Sequence, residues 1–118
     1  MDIIKKTRLE EAGINVEDAL NRFMNNENLM MKFLLRFPQD KNFPQLKAAL
    51  DAGDAEAGYK AAHTLKGVVG NLSMTRLYEV TCTVSDALRS GDLATAENNL
   101  PELETAYQQV MKVLEEVA

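Results

Sequence analysis

The chain has one cysteine, one histidine and no tryptophan among 118 residues, and these scarcities close off whole classes of function. Cys82 alone forms neither an internal disulfide nor a cysteine-cluster metal site. His63 alone excludes every two-histidine metal motif and leaves histidine chemistry with a single carrier. Glycine and proline number only six and three, and no stretch reads as a flexible linker. Long apolar runs are missing too: Lys32 and Arg36 interrupt the stretch over 29–35, so no segment is expected to span a bilayer. Residues 1–6 show no apolar signal core and no small-residue cleavage site, so no secretion signal is expected and a cytoplasmic protein is the default. Basic residues are in deficit. Eighteen acidic against thirteen basic side chains leave a net charge of −5 and a pI of about 4.9. That balance argues against nucleic acid as the main ligand and against an anionic membrane surface.

Apolar residues make up 46% of the chain and charged ones 26%, which suits a folded globular protein and not a disordered one. At this length a single domain over 1–118 is expected, with a core that needs no disulfide or structural metal. Two turns are marked clearly, Ala52-Gly53-Asp54 and Ser90-Gly91-Asp92. Each supplies a glycine for a left-handed helix end and, directly after it, an aspartate to cap the next helix. A third turn is expected at Asn71-Leu72-Ser73, with Ser73 as the cap and Leu72 stapled against Leu77.

Between these marks the apolar spacing is helical. Leu93, Ala96, Leu100, Leu103, Tyr107, Val110, Leu114 and Val117 alternate steps of three and four, as do Met74, Leu77, Thr81, Val84 and Leu88. Gly58, Ala61, Ala62, Leu65, Val68 and Val69 form one stripe over 54–70. Shorter helices are predicted over 16–24, 28–37 and 43–50, the second ended by Pro38, and Pro101 is expected to kink or split the last helix. No alternating β-branched run competes. The fold class is all-α, an antiparallel four-helix bundle with additional short N-terminal helices.

At about 100° per residue, Ala61, Ala62, Val68 and Val69 fall within about 60° of Leu65, and His63 lies about 160° from that centre. His63 therefore points away from the core. Glu56, Lys60, Gly67 and Gly70 share its face, with Lys66 and Tyr59 beside it. A glycine inside a helix costs roughly 1 kcal/mol against alanine. Gly58, on the core stripe, reads as a close helix crossing. Gly67 and Gly70, on the outer face, read as a surface kept bare so that another protein can approach the imidazole. An exposed imidazole is a competent nucleophile near neutral pH, and Lys66 and Lys60, three residues to either side, are placed to reach an anionic group carried on the ring.

The run Ala62-His63-Thr64-Leu65-Lys66-Gly67-Val68-Val69-Gly70-Asn71-Leu72-Ser73-Met74-Thr75-Arg76-Leu77 resembles the signature of histidine-containing phosphotransfer (HPt) domains. Residues 13–20, residues 33–37 and the two Gly-Asp turns resemble that family's layout as well. The resemblance implies that His63 is the phosphorylated residue, Lys66 the cationic neighbour of the phosphoryl group and Gly67 the small residue giving access. It implies a phosphocarrier, not a free-standing catalyst, relaying phosphate between receiver-domain aspartates in a two-component phosphorelay. The implied partners are response-regulator receiver domains and a hybrid histidine kinase. The chain itself would bind no cofactor and no metal, Mg²⁺ being expected on the receiver, and would act as a monomer. Ser73 departs from the family, which often has glycine there; as a sound cap it is expected to alter the turn without loss of function.

The rival reading is a helical interaction module that binds receiver domains without carrying phosphate, against which the His63–Lys66–Gly67 spacing argues. A histidine phosphatase would need arginines converging on the phosphate, and Arg8, Arg36, Arg76 and Arg89 show no such grouping. The six methionines, Met24, Met30 and Met31 among them, are expected to fill the core, and Cys82 is expected as a small buried thiol. For Tyr59 and Tyr78 the sequence leaves open whether they line the docking face or cover the bundle.

Overall fold

A computed structural model describes all of residues 1–118. Its helices are α1 (Ile3–Glu11), α2 (Val16–Arg22), α3 (Glu27–Leu34), α4 (Asn42–Asp51), α5 (Ala55–Asn71), α6 (Thr75–Arg89) and α7 (Leu93–Val117), with a 3₁₀ turn at Phe37–Gln39. Successive helices α4 to α7 pack side by side, and tight turns reverse the chain between them. Asp54 and Asp92 cap α5 and α7 by accepting the Ala57 and Thr95 N–H groups, each at 3.0 Å. Gly53 and Gly91 before them take φ of 67° and 76°, values that favour glycine. This is the expected four-helix bundle, all-α, with shorter helices at the N-terminus.

The predicted stripes face the core. Leu65 and Val69 of α5, Leu77, Thr81 and Val84 of α6, and Leu103, Val110 and Leu114 of α7 are all buried. Gly58 lets α5 approach its neighbours closely: a Cβ there would lie 3.2 Å from Leu88 of α6 and 3.7 Å from Ala49 of α4. Ring stacking closes α4 onto α7. Phe43 and Tyr107 have centroids 4.0 Å apart, Phe37 adds an edge contact to Tyr107 at 5.9 Å, and Lys47 pairs with Glu104 at 2.9 Å. Burial, with the carboxylate of Asp40 nearby, holds the Tyr107 phenol above its usual 10.0.

Several local expectations are corrected. The second helix stops at Arg22, not at 24, because Met24 and Asn25 turn left-handed with φ of 55° and 59°. Met24 is 92% exposed and fills no core, whereas Met30 is fully buried. The third helix ends at Leu34, well before Pro38. Pro38 instead sits at the start of the 3₁₀ turn, where its missing N–H leaves no bond unmade. Pro101 does not split α7. Ala96 before it and Leu103 after it are both fully buried, so packing holds the two halves in one stripe. The α1 helix has no apolar stripe in the sequence to mark it: Leu9 is its one buried residue, while Ile3 and Ile4 face outward.

A backbone clasp joins the N-terminal helices to the bundle. The Asn15 N–H donates to the Ser73 carbonyl at 2.8 Å, and Ile14 and Met74 make an isolated β-bridge. The loop before α2 is thereby tied to the turn between α5 and α6.

Candidate functional site

The α5 helix carries the site because its apolar stripe is narrow. Ala61, Ala62, Leu65 and Val69 go inward, which leaves His63, Thr64 and Gly67 exposed on the other side. One turn before His63, the half-buried Tyr59 lays its ring beside the imidazole, with centroids 5.6 Å apart and planes tilted by 30°. Of the two places the sequence leaves open for Tyr59, its ring takes the one beside the histidine.

Lys66 and Gly67 follow within one turn of His63. Lys66 is half-buried and makes no ion pair within the chain, so its charge is unclaimed. A Cβ at Gly67 would meet nothing within 4 Å, so the surface there is open to an approaching body. Lys60 is placed differently. Its ammonium reaches back to Glu56 at 3.6 Å, with both side chains largely exposed, so the two lysines are not equivalent.

Gly70 does not have the role its face suggested. A Cβ there would lie 3.1 Å from the Tyr78 ring, so packing of α6 on α5 within the chain accounts for the missing side chain. Tyr78, about two-fifths exposed, covers this end of the helix. Cys82, one turn along α6, is half-buried, not buried, and lies beside Tyr78, whose phenol it holds above the usual 10.0.

An open groove of about 410 Å³ begins at Lys66 and Gly67 and runs past Gly70 to the turn after α5. Its other wall is α2, through Asp18 and Arg22. Arg22 lies far from His63 in the chain, and only the fold brings it to the groove. Asp18 Oδ2 accepts the Ser73 hydroxyl at 2.6 Å and Arg22 Nε at 2.9 Å. These bonds, the Ser73 one first, hold the Asp18 carboxyl below its ordinary 3.8.

Ser73 does not cap α6 as expected. Met74 occupies the cap position with no side-chain bond, while Ser73, buried at φ 56°, turns its hydroxyl to Asp18. The left-handed backbone explains why glycine suits this position, and the α2 carboxylate holds the serine in its place. The chemistry available is that of one exposed imidazole, one free ammonium and an open approach. No group of three or more metal-ligating side chains gathers anywhere in the chain, and no helix is long and apolar enough to cross a membrane.

A family model described as the Hpt domain matches residues 37–112, which takes in α4, α5, α6 and most of α7. No curated protein and no solved structure gives a significant match. With that match over more than half its length, the chain belongs to the Hpt domain family, whose members carry out histidine phosphotransfer in phosphorelays.

Proposed function

We propose that this chain relays a phosphoryl group between the aspartates of receiver domains, with His63 as the carrier. One observation carries the reading: the exposed imidazole has an unpaired ammonium, Lys66, and an open helix surface, Gly67, within the next turn of α5. A ring nitrogen of His63 attacks the phosphorus of an aspartyl phosphate presented by the partner. The N–P bond forms as the O–P bond breaks, and the aspartate carboxylate leaves with the electron pair; the return transfer reverses these steps onto a second aspartate.

Phosphoryl transfer asks chiefly for positioning and charge neutralisation. Tyr59 restricts the imidazole on one side, and Lys66 supplies a cation for the oxygens of the bound group. Mg²⁺ would arrive on the receiver. The partners are receiver domains and a hybrid histidine kinase, and the chain acts as a monomer in the cytoplasm.

An interaction module without phosphate would need the surface but not the nitrogen nucleophile. Wild type beside His63→Gln separates the two: in the relay reading the wild type is labelled and the variant binds a receiver domain without taking phosphate, whereas in the module reading neither is labelled. A variant that is labelled as well as the wild type would overturn the assignment of His63.

A further inference from the structure

The groove beside Lys66 has a second cation on its opposite wall, and that cation is held in place. Arg22 is the last residue of α2, and only its Nε is engaged, by Asp18 at 2.9 Å. A guanidinium carries five N–H donors in a planar fork, so its two NH₂ groups are left without an acceptor in the chain. Asp18 is itself fixed, because the same oxygen accepts the Ser73 hydroxyl and the neighbouring Asn15 N–H is bonded to the Ser73 carbonyl. The turn that ends the histidine helix thus sets the position of the Arg22 side chain.

Stability does not account for this arrangement. Arg22 and Asp18 are each 47% exposed, and an exposed pair of this kind adds little to folding. What it does is order an arginine fork in advance, at the rim of an open groove whose far wall carries the unpaired Lys66. The one carboxylate in the groove, Asp18, is already occupied by two donors. His63 does not line the groove, so the Arg22 fork on the wall opposite Lys66 is open to an anion other than the phosphoryl group on the ring.

We propose that Arg22 is a docking residue: its free NH₂ groups bind a carboxylate on the surface of the receiver domain, opposite Lys66, and orient the receiver over His63. The planar fork suits a two-pronged bond to a carboxylate. This inference rests on the relay reading, since it takes the receiver as the body that enters the groove. Arg22 touches neither the imidazole nor the transferred phosphorus and acts on binding alone.

The test uses the full chain and a receiver domain carrying aspartyl phosphate and Mg²⁺, chosen from a panel as the one whose unphosphorylated form binds the wild-type chain most tightly. In single-turnover transfer followed against receiver concentration, Arg22→Gln should raise the half-saturating concentration about three- to tenfold, leave the limiting transfer rate near the wild-type value, and flatten the dependence of half-saturation on salt. Arg22→Lys keeps the charge without the fork and should fall between the two. Arg89→Gln, the same charge change at the distal end of α6, should behave as wild type. Binding of the unphosphorylated receiver, measured by calorimetry, should weaken in the same order. A wild-type half-saturating concentration and salt dependence for Arg22→Gln would overturn the proposal. So would a loss confined to the limiting transfer rate, or an equal effect from Arg89→Gln. Binding that weakens as predicted without any labelling of His63 would support the docking role and overturn the relay, so the two failures are distinguishable.

Discussion

Ser73 donates its hydroxyl to Asp18 Oδ2 at 2.6 Å from a backbone turned left-handed at φ 56°. Two opposing effects meet in that residue: the bond fastens α2 to the turn after the histidine helix, and the conformation is one that L-residues disfavour. Ser73→Ala removes the bond and keeps the strain, whereas Ser73→Gly removes both. The glycine variant should therefore be more stable than the alanine variant by about 1 kcal/mol in denaturant unfolding. Equal stabilities would show that the turn carries no strain.

Acid should loosen the same contact. Asp18 is held below 3.8 by the Ser73 hydroxyl and then by Arg22, so the folded chain binds this proton more weakly than the unfolded one. Its contribution is complete above the unfolded value of 3.8 and is lost as pH falls below that through the folded value. Wild-type thermal stability should fall more steeply below pH 3.8 than that of Asp18→Asn. Parallel curves would contradict the coupling.

The bundle was legible because each of its helices carries its own signal. Asp54 and Asp92 announce caps, Gly53 and Gly91 announce left-handed ends, and the stripes through Leu65, Leu77 and Leu103 fix the inward faces. The exposure of His63 followed from the same geometry. Contacts between distant elements were not legible. Ser73 looked like a cap because serine usually is one, and only the approach of Asp18 shows why its backbone turns left-handed instead. Gly70 looked bare until Tyr78 of the next helix was seen to fill the space. Arg22 and α1 lacked any local mark: the arginine sits on another element, and α1 buries only Leu9.

The two glycines on the α5 face should respond differently to alanine. Gly67→Ala meets nothing within 4 Å and should stabilise the helix by up to about 1 kcal/mol while slowing phosphate uptake from a receiver. Gly70→Ala presses on Tyr78 at 3.1 Å and should gain less stability or lose some. Unchanged uptake by Gly67→Ala would show that the open surface is not used for access.

The lysines should differ as well. Lys66→Ala should slow transfer on the order of ten- to a hundredfold, the range for a lost hydrogen bond to a charged group. Lys60→Ala should change it by less than about threefold, because that ammonium reaches back to Glu56. Single-turnover rates decide, and equal losses would make the two cations equivalent.

The central claim is that His63 carries phosphate, and the direct measurement is uptake and discharge. The purified chain is mixed with a phosphorylated receiver domain and Mg²⁺, the product is tested for an acid-labile, base-stable phosphate, and a second, unphosphorylated receiver is then added. The account predicts one such phosphate, absent from His63→Gln, that moves on to the second receiver's aspartate. A folded wild-type chain that takes no phosphate from any of several receivers would contradict it.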